Sequence, residues 1–161
     1  MTYRALRFRR RMIAAALAVA LLPVRAAYAA GDAATPEEAT IRECGACHMP
    51  YPPQVLPTRS WQALIKDLTH HFNENASLDA TTSKKILGYL TAHAADAPGE
   101  NHLFMRGLAP DTTPLRITDT PVWRHIHGEI PESVFTSPKI MTKANCGACH
   151  EGADQSSDTT N

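Results

Sequence analysis

Every cysteine of the chain falls in one of two copies of a single pentapeptide, Cys44-Gly45-Ala46-Cys47-His48 and Cys146-Gly147-Ala148-Cys149-His150. Two thiols three positions apart, with a histidine directly after the second, are what covalent haem attachment needs. Each thiol adds to a vinyl group as a thioether, and the next residue lies under the iron as an axial ligand. Two C-x-x-C pairs also build zinc ribbons, redox disulfides and disulfide staples. A ribbon brings its second pair within about twenty residues, whereas about a hundred separate these pairs. Neither a four-cysteine zinc site nor a dithiol motif requires the histidine. The spacing therefore predicts two covalently bound haem c groups, joined through Cys44, Cys47, Cys146 and Cys149, with His48 and His150 as proximal ligands.

Haem is attached to such motifs outside the cytoplasm, and the N-terminus reads as an export signal over residues 1–29. Arg4, Arg7, Arg9, Arg10 and Arg11 form a basic region, Met12 to Val24 an apolar run, and Ala27-Tyr28-Ala29 a small-x-small cleavage site. The apolar run is too short to span a bilayer, and no other segment is a candidate, so the expectation is a periplasmic protein without a membrane span. The first 30 residues hold six of the sixteen basic residues and none of the acidic ones. Their removal leaves ten Lys and Arg against sixteen Asp and Glu, a formal charge of −6. An acidic chain of this kind excludes nucleic acid as a natural partner and favours encounter with a basic protein.

The elements that must position the haems are expected to be helices in the first half. Thr35-Pro36-Glu37-Glu38 reads as a capping box with proline at the first helical position. Trp61, Leu64, Ile65, Leu68 and Phe72 recur with helical spacing after Ser60, a candidate cap. A third helix follows Asp79, with Ile86, Leu87 and Leu90 on its core face, and ends before Pro98. From Pro98 to Asn145 six prolines interrupt any helical period. The expected fold is mainly α: an N-terminal class I cytochrome c-like haem domain over residues 30–97, then a largely irregular, haem-organised C-terminal domain over 98–161. The tail from about residue 153 is small, polar and expected to be disordered. Domains this small bury little apolar surface, so haem must complete each core. Trp61 and Trp123 are then packing residues rather than electron relays.

Function turns on the sixth ligand of each iron, because a haem with two strong protein ligands passes electrons and one with an open position binds gases or does chemistry. The candidates are His70, His71, His93, His102, His125 and His127, with Met49, Met105 and Met141 as weaker rivals that read as gap-filling core residues. On a helix through residue 72, His71 borders the apolar face and His70 points away. His93 and His102 read as solvated. Trp123-Arg124-His125-Ile126-His127-Gly128 lies between Pro121 and Pro131; in an extended segment His125 and His127 share one side, and periodicity does not choose between them.

The chain resembles the small periplasmic dihaem cytochromes c of proteobacteria across nearly all of the sequence after residue 30. The likeness is carried by Cys44 to His48 with Met49-Pro50-Tyr51-Pro52-Pro53, then Leu56-Pro57 and Arg59-Ser60-Trp61. It continues through His71-Phe72, Glu74-Asn75-Ala76-Ser77-Leu78-Asp79 and Ala94-Ala95-Asp96, and ends with Leu115-Arg116-Ile117-Thr118 and Ala144-Asn145-Cys146. The resemblance implies a low-potential electron carrier, not an enzyme, with bis-histidine ligation of both haems. His71 and His127 match the family's distal ligands, and His70 and His125 are the extra histidines. It also implies redox-protein partners: an oxygen-binding monohaem cytochrome c as acceptor and a membrane cytochrome b as donor. Methionine ligation would raise the potential, and its absence agrees with a low one. The rival from another class is a gas-binding or peroxidase-like protein with one open or labile axial position. A zinc-binding interaction module is the third reading.

Overall fold

The structure is a computed structural model and describes residues 34–152. The expected signal peptide and the tail from residue 153 lie outside the described residues.

Thr35 caps helix α1 (Pro36–Cys44) in the expected manner: its hydroxyl accepts from the Glu38 amide and the Glu38 carboxylate accepts from the Thr35 amide. Helix α2 (Thr58–Lys66) begins two residues before the expected cap. Ser60 lies inside it, fully buried, with its hydroxyl unpartnered. The fixed φ of Pro57 launches the helix, and its first amide is satisfied from a distance, by the Asp96 carboxylate, which accepts from the Thr58 amide and hydroxyl at 2.7 Å each. Helix α3 (Ala80–Ala92) has Asp79 as its cap, accepting from the amides of Thr81 and Thr82.

Helices α1 and α2 both pack on α3. Ala39, Leu56, Trp61, Ile86, Leu90 and Ala94 form the buried centre, and the Trp61 indole N–H donates to the Pro53 carbonyl at 2.8 Å. Of the three expected core positions on α3, Ile86 and Leu90 are buried and Leu87 only half so.

The second half is mostly turns and 3-10 segments, as expected, yet two of its prolines start helices instead of preventing them. Helix α4 (Pro121–His127) repeats the device of α1, with Thr120 as cap and proline at the first helical position. The short α5 (Glu132–Phe135) follows Pro131. Val122, Phe135 and Ile140 are buried around these elements. Among the described residues there is no strand, only the isolated bridge between His71 and Glu74. By their contacts the described residues belong to one compact unit, and the expected boundary at Ala97-Pro98-Gly99 falls inside it.

Candidate functional site

Cys44 ends α1, and the turn that follows carries Cys47 and His48 out of the helix. The ring of His48 is steered from two sides. Its Nδ1 lies 2.6 Å from the Met49 carbonyl oxygen, and the Tyr51 ring stacks on it with centroids 5.0 Å apart. A bond from Nδ1–H to a carbonyl fixes the tautomer that leaves Nε2 free as a ligand atom.

Opposite stands His71, with ring centroids 6.3 Å apart and planes inclined by 20°. It does not arrive there on a helix. Helix α2 stops at Lys66 because the Asp67 carboxylate turns back on the next residues, accepting from the Thr69 hydroxyl and lying 2.7 Å from His70 Nδ1. A 3-10 turn over Leu68–His70 follows, and Ala76 N donates to Leu68 O. His71 then opens a tight turn closed by Glu74 N to His71 O, with φ of 52° at Phe72 and 77° at Asn73. Two positive φ values make it a type I′ turn; Asn accepts that conformation readily and Phe does so only under strain. The Phe72 ring is held by its edge against His71 and by the Arg116 guanidinium 4.1 Å from its centroid. Burial pushes the His71 pKa down, and His48 and Arg116 act in the same direction. Its Nδ1 is buried with no partner among the described residues.

Between these rings opens an apolar cavity of about 560 Å³. Cys44, Cys47 and His48 form one wall, Leu64, Ile65, Leu68 and Leu78 the apolar side, and Leu115, Arg116 and Ile117 a cover from the second half. Trp123, Lys143, Ala144 and Cys146 complete the lining, so residues from around the second motif border the first cavity. The link is tightened by Tyr51, whose hydroxyl donates to the Ala144 carbonyl at 2.8 Å. Burial raises the Tyr51 pKa.

The second motif ends in a 3-10 turn, Cys146–Ala148, and His150 N donates to Cys146 O. The ring of His150 meets that of His127 with centroids 5.9 Å apart, at 73°. His127 ends α4, stacked on Trp123 with centroids at 4.7 Å and planes 14° apart, and its Nδ1 lies 3.1 Å from the Trp123 carbonyl oxygen. The expectation that His125 and His127 share one side is overturned, because the segment is helical and residues two apart on a helix diverge. His127 turns inward, and His125 is exposed.

The remaining candidates stand apart from both ring pairs. His70 is exposed and paired with Asp67. His93 is bonded to Glu100, and His102 to the Ala95 carbonyl. Met141, expected as a packing residue, is 73% exposed. Among the described residues no three of His, Cys, Asp and Glu converge as a metal ion would require, and no disulfide joins the four cysteines. Residue types and spacing did not reveal the parts taken by Tyr51 and Arg116, which depend on contacts between distant segments.

Two imidazoles bound on opposite sides of one metal, each with a bond of about 2 Å and about 1 Å from nitrogen to ring centre, hold their centroids roughly 6 Å apart. Both ring pairs meet that spacing, and the apolar cavity suits a macrocycle between the first pair.

A family model described as "Dihaem cytochrome c" matches residues 40–157. Among solved structures, the chain is similar to a diheme cytochrome c from Rhodobacter sphaeroides, at 44% identity over 73% of this chain and 93% of that one, with a TM-score of 0.68. A diheme cytochrome c from Shewanella baltica is similar at 31% identity, over 76% and 86% of the respective chains, with a TM-score of 0.61. No curated protein matches.

Proposed function

Because the chain belongs to the dihaem cytochrome c family, and so carries two covalently bound haem c groups on the pairs Cys44/Cys47 and Cys146/Cys149, we propose that it is a bis-histidine, low-potential carrier of single electrons between redox proteins. His48 and His71 hold the first iron, and His150 and His127 the second. The observation that carries this reading is the pair of facing imidazoles at 6.3 and 5.9 Å. That geometry supports ligation within each half over pairing crossed between halves, and His71 and His127 over the backups His70 and His125.

Haem iron supplies the one-electron Fe(III)/Fe(II) couple. The residues around it keep that couple free of side chemistry. Four imidazoles leave no coordination position for oxygen or peroxide, and Leu64, Ile65 and Leu68 give the first cavity an apolar wall. The fixed rings of His48, His71 and His127 spare any change of ligand between oxidation states. The basic start and apolar run of the first 29 residues support export to the periplasm, where haem is attached. An oxygen-binding monohaem cytochrome c as acceptor and a membrane cytochrome b as donor follow from the family resemblance.

The test is an absorption spectrum of the purified holoprotein, oxidised, reduced, and reduced under carbon monoxide. Low-spin bands unmoved by the gas are expected. A shifted Soret band would mean an open iron and would favour the gas-binding or peroxidase-like reading.

A further inference from the structure

The two sites are built alike but are not equivalent, and the difference lies in what surrounds the distal histidines. At the second site His127 Nδ1 has an acceptor, the Trp123 carbonyl oxygen at 3.1 Å, and His150 is exposed, so water can serve its N–H. At the first site His48 Nδ1 has the Met49 carbonyl, but His71 Nδ1 is buried with no acceptor among the described residues. A hydrogen bond from the outer N–H of a metal-bound imidazole makes the ring a stronger donor, which favours the higher oxidation state of the metal. The first iron therefore receives less help in the Fe(III) state than the second.

Charge acts in the same direction. Arg116 lines the first cavity, its guanidinium lies over the Phe72 ring beside His71, and it has no carboxylate partner among the described residues. Of the carboxylates that line the same cavity, Glu43 is paired with Arg42, and Glu74, like Arg116 itself, is exposed. Lys143, which also lines that cavity, is paired with Glu132 at 2.6 Å, and Arg124 within α4 with Asp119 at 3.4 Å. A positive charge beside an apolar cavity disfavours the extra positive charge of Fe(III). We infer that the haem joined to Cys44 and Cys47 has the higher reduction potential of the two, set by the unbonded His71 N–H and the unpaired Arg116, so that a single electron rests at the first site.

This inference rests on the four-histidine reading and deepens it by ordering the haems. Its test is a redox titration of the holoprotein followed by proton NMR, with each haem identified through contacts from its thioether groups to the β-protons of Cys44 and Cys47 or of Cys146 and Cys149. The Cys44/Cys47 haem is expected to reduce first. Arg116→Gln is expected to lower that midpoint and leave the other in place, with both spectra still low-spin. Reduction of the Cys146/Cys149 haem first would overturn the inference, and so would an Arg116→Gln variant that shifts neither midpoint or both equally. The same sample under carbon monoxide separates the two failures. A moved Soret band removes the four-histidine reading, whereas unmoved bands with the order reversed overturn the ordering alone.

Discussion

His71 and His127 reach their positions by different devices, and each device makes a residue-level prediction. His127 depends on the last turn of α4 and on the Trp123 ring stacked against it. In the holoprotein, His127→Ala should open one iron of the two to carbon monoxide. His125→Ala, which removes an exposed side chain, should leave the spectrum unchanged and stability within about 0.5 kcal/mol. Equal behaviour of the two variants in a reduced-plus-carbon-monoxide spectrum would refute the assignment. The choice between these histidines is hidden in the sequence as long as the prolines after residue 97 count only as helix breakers. Thr120-Pro121 is the same start signal as Thr35-Pro36, and reading it would have placed the two residues on different faces. His71 was legible for an incomplete reason: its apolar neighbourhood is real, but the strained Phe72-Asn73 turn, which no hydrophobic period announces, supplies the position.

Capping dominates at the scale of elements, and local caps were legible where distant ones were not. The box around Thr35 and the Asp79 cap are short-range patterns and stand in the structure as the residues predicted. Thr35→Ala should cost about 1 kcal/mol by chemical denaturation. Helix α2 is capped by Asp96, thirty-eight positions away from Thr58, and a cap of that range leaves no trace in the local sequence. Partial burial pushes the Asp96 pKa up, but the Thr58 amide and hydroxyl, with Arg59 nearby, outweigh it and hold the carboxyl below its usual value. A depressed folded pKa contributes stability that is present above the unfolded value of about 3.9 and lost as pH falls through the folded one. Asp96→Ala should therefore be less stable at pH 7 by about 1–2 kcal/mol. The gap from the unaltered protein should close as denaturation is repeated below about pH 4. A gap independent of pH would show that the carboxylate charge contributes nothing.

The whole molecule joins what composition divides. The proline-rich stretch after residue 97 looks like the start of a second domain, yet Leu115, Arg116 and Ile117 cover the first cavity. Arg59 reaches the carbonyls of Thr112 and Ala109, and Tyr51 binds the Ala144 carbonyl across ninety-three positions. Each half alone buries little, one around Ile86 and Leu90 and the other around Val122 and Phe135, and a core of that size is marginal without cofactor or neighbour. The halves are thus expected to unfold together. In the holoprotein, thermal unfolding followed in the far ultraviolet and at the Soret band should give one coincident transition. Tyr51→Phe keeps the ring stacked on His48 but leaves the Ala144 carbonyl without its donor. It should lower stability by about 1 kcal/mol while the two signals still coincide. Two separated transitions in the unaltered protein would mean that the halves are independent domains after all, each held by its own haem. The Tyr51 bond would then join surfaces that do not depend on one another.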